Sequence, residues 1–235
     1  ERVVAWNTSG KVRQFFTYPF SVHFSVIRFG DGINSIRGPR SSKSLSRLAM
    51  IFAALQRHCL GAKALLRSIR PSVYVLPCAE VGGASVAQHV RHTFDHFARV
   101  ANGAQRRFDE DGVWRYDARA RGTGVETELN VAIAAAVDLT VMFRSLAGRS
   151  DAADGWARRR VRVSFDMPHD DSGAREEVFE STIEREAMFA LHHAFHHDAM
   201  ISVIAQAHPE WDIALPDGFG VAPSTKSFLA NNGEG

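Results

Sequence analysis

The chain has only two cysteines in 235 residues, Cys59 and Cys78, with no CxxC pair around either, so it carries neither a disulfide framework nor a zinc-ribbon spacing. That usage suits a reducing compartment. An excess of one charge is also lacking: 28 Lys and Arg stand against 26 Asp and Glu, and a net +2 gives no general hold on nucleic acid or an anionic membrane. No uninterrupted apolar run comes near the roughly 18 residues that a bilayer span requires. The expectation is a soluble protein, cytoplasmic unless its first residues direct it to an organelle, with no nucleic-acid or membrane partner. What is present is a 45% hydrophobic share with 23% charged residues, enough for an ordinary core. There are also 11 histidines, and their placement carries the functional argument.

Charge is unevenly spread. Residues 1–49 hold eight Lys or Arg and eight Ser against Glu1 and Asp31 alone, which leaves the remainder at about −4. Arg-rich, Ser-rich and acid-poor composition is that of organelle transit peptides. The expected division is therefore a basic leader over 1–49, a removable transit peptide or a mis-annotated extension, and a domain over 50–230; a poorly ordered native extension and a folded N-terminal element are the alternatives.

From Met50, Ile51, Leu55, Ala62, Leu66 and Ile69 recur at helical spacing until Pro71. A second helix is expected to open at Ser85, where Gln88 three residues on completes a capping box, and to run to about Asn102. Residues 108–126 are polar and Gly-containing and read as a long connection. Thr127 is the expected cap of a third helix through Ala147. Val161, Val163 and Phe165 alternate with polar neighbours and predict a strand over 156–167. Ser181 with Glu184 is a further capping box, opening a fourth helix to about Ala207, and residues 211–235 read as an ordered tail with a loose end. The fold class expected is mainly all-α, built on four helices, with a short accessory strand.

The fourth helix contains LHHAFHHDAMI, placing His192, His193, His196 and His197 within six residues. At about 100° per residue, Phe189, His193, His196, His197, Met200 and Ile204 share one face and His192 lies at its edge. A single inward histidine is usually satisfied by a carbonyl or water. Several together are costly to bury, and would repel one another if protonated. A metal ion removes both difficulties, and an i, i+4 pair such as His193 and His197 brings two ring nitrogens to one ion. A third ligand must come from another element. HVRHTFDHF on the second helix offers His89, His92 and His96, of which the helical wheel favours His89 and His96. His23, His58, His169 and His208 have no such setting and read as surface residues.

In chain order, SVAQHVRHTFDHF, YDARARGTGVET, STIEREAMFALHHAFHHDAMI and FGVAPST resemble the sequence blocks of the DinB/YfiT-like superfamily, over about residues 50–230. The resemblance implies a four-helix bundle with one divalent metal ion bound by one histidine of the second helix and an HxxxH pair of the last. Carried over, these are His92, which precedes Asp95 by three residues, with His193 and His197. It further implies an enzyme that uses a low-molecular-weight thiol against a small-molecule electrophile, as a transferase does. The alternative is a non-catalytic metal-binding protein, expected if His89, His96 or His196 closes the shell; a homodimer is compatible with either. Zinc, nickel, iron and manganese all tolerate three imidazoles. Tyr116, Asp117, Arg119 and Arg121 offer either a carboxylate clamp or a self-paired solvated loop.

Overall fold

The computed structural model describes residues 46–105, 112–118, 121–149, 158–169 and 173–233, all within the compact unit Ser44–Gly235. The expected leader lies outside the described residues up to position 45. The first helix, α1 (Arg47–Ser68), begins earlier than Met50: Ser46 caps it by accepting from the Ala49 amide at 3.2 Å, and Leu48 and Ala49 are buried. A single turn, α2 (Pro71–Tyr74), follows, then a 3-10 turn over Ala79–Val81.

The helix α3 (Val86–Ala104) starts on the expected box, with Ser85 and Gln88 each satisfying the other's backbone amide. The connection that follows is more ordered than its polarity suggests. It contains β1 (Val113–Arg115) and the turn α4 (Gly124–Thr127), so the next helix, α5 (Leu129–Arg149), starts after Thr127 rather than on it. Along α5, Ala132, Ala136, Leu139, Phe143 and Leu146 recur every three or four residues and are buried. By length and a mean hydropathy of 1.6, α5 is the one described helix that would suffice to cross a membrane. Here its buried side faces α1 and α3.

The expected strand is β2 (Arg160–His169). The charged stretch after it holds a second strand, β3 (Gly173–Thr182), paired antiparallel with β2 along its whole length. The polar composition of β3 concealed it: seven of its ten residues are exposed and none is buried, so no one-faced apolar alternation arises. With β1 parallel to β2, the sheet order is β1-β2-β3. The last long helix, α6 (Ile183–Ala207), is capped by Thr182, whose hydroxyl accepts from the Arg185 amide at 3.2 Å, and not by Ser181. A 3-10 turn over Pro209–Trp211 and the exposed helix α7 (Pro223–Asn232) complete the described chain.

The fold is thus mainly helical with a small open sheet. Among the long helices, α1 packs on α5 and α6, and α3 on α5 and α6. Phe52, Phe97 and Phe143 meet at the junction, with ring centroids 6.1 Å (Phe52 to Phe143) and 5.7 Å (Phe97 to Phe143) apart, and all three are fully buried. Each contributes about 1.5–3 kcal/mol through removal from water. This packing presents one face of α3 to one face of α6.

Candidate metal centre

The facing surfaces of α3 and α6 bring histidines together across the helix pair. His193 Nε2 lies 2.9 Å from His92 Nε2 and 3.1 Å from His197 Nε2. His197 Nδ1 in turn lies 2.9 Å from His89 Nδ1. His96 joins from the next turn of α3, its ring 4.4 Å from that of His193, and ligand atoms of His92, His96 and His193 all lie within 4.8 Å of one another. His89, His96 and His197 are buried, while His92 and His193 are half-buried.

The donor set fits a divalent cation. An imidazole nitrogen has one in-plane site, either an N–H or a lone pair. His193 Nε2 faces two other Nε2 atoms, and one site cannot form linear hydrogen bonds with both. A cation among three lone pairs satisfies all three. The separations of 2.9 and 3.1 Å are near the roughly 3.3 Å edge of a tetrahedron with zinc–nitrogen bonds of about 2.0–2.1 Å. Burial, followed by the neighbouring His92, His193, His89 and His196, pushes His197 down to about 2. Burial and His196 likewise lower His89. His197 and His89 therefore favour neutral imidazole, the form that ligates.

No family model, curated protein or solved structure matches this chain. The functional reading rests on the geometry and on the sequence blocks.

Of the residues singled out from sequence, His193 meets both His92 and His197, the set whose ligand atoms all lie in mutual reach is His92, His96 and His193, and His89 lies beside His197. His196 stands at the solvent edge of the cluster: it is exposed, with its ring 5.2 Å from that of His197, and His192 is exposed at the edge of the face. Asp95 pairs with Arg91 at 3.1 Å, and Arg91 also approaches Glu126 at 3.3 Å. The arginine clamp is not assembled among the described residues. Arg121 is exposed, Arg119 lies outside the described residues, and Asp117 accepts from the Asp166 amide at 2.8 Å.

Tyr116 has a different setting from a loop residue. It is buried, stacks on His96 with centroids 4.9 Å apart, and donates its hydroxyl to Glu186 at 2.7 Å. Glu186 is fully buried and is held by three donors, since Ser181 Oγ at 2.5 Å and Arg185 Nη1 at 2.7 Å share its other oxygen. Burial, with Glu186 next in effect, pushes the Tyr116 hydroxyl well above its usual range, so it keeps its proton. Phe189 stacks on His193 at 5.7 Å. One wall of the cluster is thus aromatic and carries a fixed donor chain, Tyr116 to Glu186. Sequence reasoning missed Glu186, although the YDARARG block and a carboxylate one turn into α6 were both visible.

His58 was expected at the surface. Its side chain is only 9% exposed, against Phe97, Phe195 and Asp198. His208 is partly buried beside Glu80 and Glu210. Of His169 only the backbone is described, in β2, and His23 lies outside the described residues.

Proposed function

We propose that this protein binds a divalent metal ion between α3 and α6, with His92, His193 and His197 as ligands and His96 as a neighbouring imidazole able to close the shell. The observation that carries it is His193 Nε2 lying 2.9 Å from His92 Nε2 and 3.1 Å from His197 Nε2, with His96 in ligand reach of His92 and His193, where hydrogen bonding alone cannot satisfy the shared nitrogen. Zinc, nickel, iron and manganese are all acceptable to such donors. The order of the sequence blocks supports a place in the DinB/YfiT-like superfamily, and the mutual packing of α1, α3, α5 and α6 supports its four-helix-bundle architecture. His96 within ligand reach favours metal binding without catalysis as the primary reading.

The half-buried state of His92 and His193 favours a second reading, since that side of the cluster is not closed off from solvent. In it the protein is an enzyme working with a low-molecular-weight thiol and a small electrophile. The ion would supply Lewis acidity that lowers the pKa of a water or thiol. Phe189 and Tyr116 would exclude water from one flank, and the Tyr116 hydroxyl stays committed to Glu186.

Elemental analysis of the purified full chain tests the first reading: one metal equivalent should disappear in both His193→Ala and His197→Ala. Metal content unchanged from wild type in both overturns it. For the second reading, cobalt-substituted protein titrated with cysteine or glutathione should change its visible spectrum, and the change should vanish in His193→Ala. A spectrum indifferent to thiols leaves metal binding without thiol chemistry.

A further inference from the structure

A second group of metal-ligating side chains lies where the turn after α2 meets the C-terminal end of α6. Cys78 donates its thiol to Glu80 Oε2 at 3.1 Å, and His208 Nε2 lies 3.4 Å from the same Glu80 oxygen. Ligand atoms of Cys78, Glu80 and His208 all fall within 4.8 Å of one another. Thiolate, carboxylate and imidazole are the three ligand types zinc accepts, and the separations of 3.1 and 3.4 Å resemble the roughly 3.3–3.7 Å ligand-to-ligand edges of a tetrahedral zinc shell.

Independent features prepare each arm. The Cys78 backbone is closed into a tight turn: its amide donates to Ala84 O at 3.1 Å, its carbonyl accepts from the Gly83 amide at 2.9 Å, and Gly82 at φ +68° turns the chain. On the other side, His208 is stacked on Trp211 with centroids 3.9 Å apart and planes at 8°. Arg70 holds that turn by donating to the carbonyls of Glu210 and Trp211 at 3.1 and 3.3 Å. His208 Nδ1 meets Glu210 Oε1 at 2.9 Å. A carboxylate on Nδ1 holds that nitrogen's proton and orients the ring so that Nε2 is turned toward Glu80. This is how protein carboxylates orient zinc-ligating histidines.

We propose that Cys78, Glu80 and His208 form a second zinc site with three protein ligands, oriented by Glu210, which clips the turn at 78–84 to the end of α6. On binding, the ion replaces the thiol proton of Cys78, which passes to solvent, and any proton on His208 Nε2 leaves with it; no electron is transferred. The site shares no ligand with the histidine cluster.

Cobalt titration of the metal-free full chain distinguishes it, because only a thiolate ligand gives a sulfur-to-cobalt charge-transfer absorption. The expected result is such a band in the wild type and in His193→Ala/His197→Ala. It should be lost in Cys78→Ser, and Co²⁺ affinity should fall tenfold or more in His208→Gln and in Glu80→Gln. Cys59→Ser should keep the band, and retained secondary structure by circular dichroism checks the folding of each variant. Absence of the band in the wild type, or a band that survives Cys78→Ser, overturns the proposal. Since the readout is thiolate-specific, its failure leaves the histidine cluster untouched, and failure of the histidine cluster leaves this band intact.

Discussion

The Nε2 atoms of His92 and His193, 101 positions apart in the chain, lie 2.9 Å from each other. Replacing either should therefore have similar consequences for metal retention. Equilibrium dialysis should show His92→Ala and His193→Ala each lowering affinity for a divalent ion at the cluster by at least a hundredfold, with His197→Ala comparable. His89→Ala should cost far less, because its Nδ1 is directed at His197 Nδ1 rather than at the three Nε2 atoms. A larger loss in His89→Ala than in His92→Ala would reverse the assignment of the α3 ligand.

Gly103 is close-packed against the buried indole of Trp114, and a β-carbon there would occupy the ring's own volume. Helix propensity alone makes Gly103→Ala stabilising by about 1 kcal/mol. Overpacking makes it destabilising by about 1–3 kcal/mol, and the buried Trp114 has no room to withdraw. Urea unfolding should show a net loss and a change in tryptophan fluorescence; a more stable Gly103→Ala would show that β1 does not hold Trp114 against α3.

His58 Nε2 and Asp198 Oδ1 are 3.6 Å apart, with side chains 9% and 12% exposed. Burial pushes His58 down to about 4. Burial also pushes Asp198 up to about 7, against a smaller opposing effect of Lys226. Around pH 6 the folded protein thus holds a neutral pair. The unfolded chain protonates His58 below its ordinary 6.5, so the stability owed to His58 is full above 6.5 and lost as pH falls toward 4. Asp198 acts in the opposite sense: its contribution is full below 3.8 and lost as pH rises toward 7. In the metal-free protein, Asp198→Asn should lose stability relative to wild type as pH falls from 6.5 to 4. His58→Phe should gain over the same interval, each by on the order of 2 kcal/mol. Denaturation curves at stepped pH measure this, and parallel pH profiles in all three proteins would rule out the neutral pair.

A chain beginning at Met50 would lack the Ser46 cap and the buried Leu48 and Ala49. Relative to one beginning at Ser44, it should be less stable by about 2–4 kcal/mol, combining a lost cap with a lost core leucine. Calorimetry of the two truncated proteins checks this; equal midpoints would mean that the first turn of α1 contributes nothing.

Local sequence rules located α3 to within two residues, because the Ser85–Gln88 box acts over a single turn and depends on nothing distant. The i, i+4 placement of His193 and His197 was equally legible, since helical rotation alone puts them on one face. Where two rules of similar strength overlapped, tertiary contact chose. Ser181 and Thr182 are both good caps, and the demand of buried Glu186 for donors took Ser181, which left Thr182 at the helix start. His89, His92 and His96 lie within a narrow arc of α3, so periodicity set His89 and His96 only slightly ahead of His92; the approach of α6 brought His92 Nε2 to His193. Periodicity also gave His196 an inward position that the actual packing leaves in solvent. β3 escaped notice because its pairing uses backbone groups while its side chains face water, so its energetics leave little trace in side-chain pattern. The same holds for Cys78 with His208, separated by most of the domain and joined only where the end of α6 meets the turn after α2. Sequence determined which residues could ligate and which way each helix faced, because both follow from rotation and capping within a few residues. Only the tertiary structure decided which imidazoles meet, because that depends on how two helices far apart in the chain pack against each other.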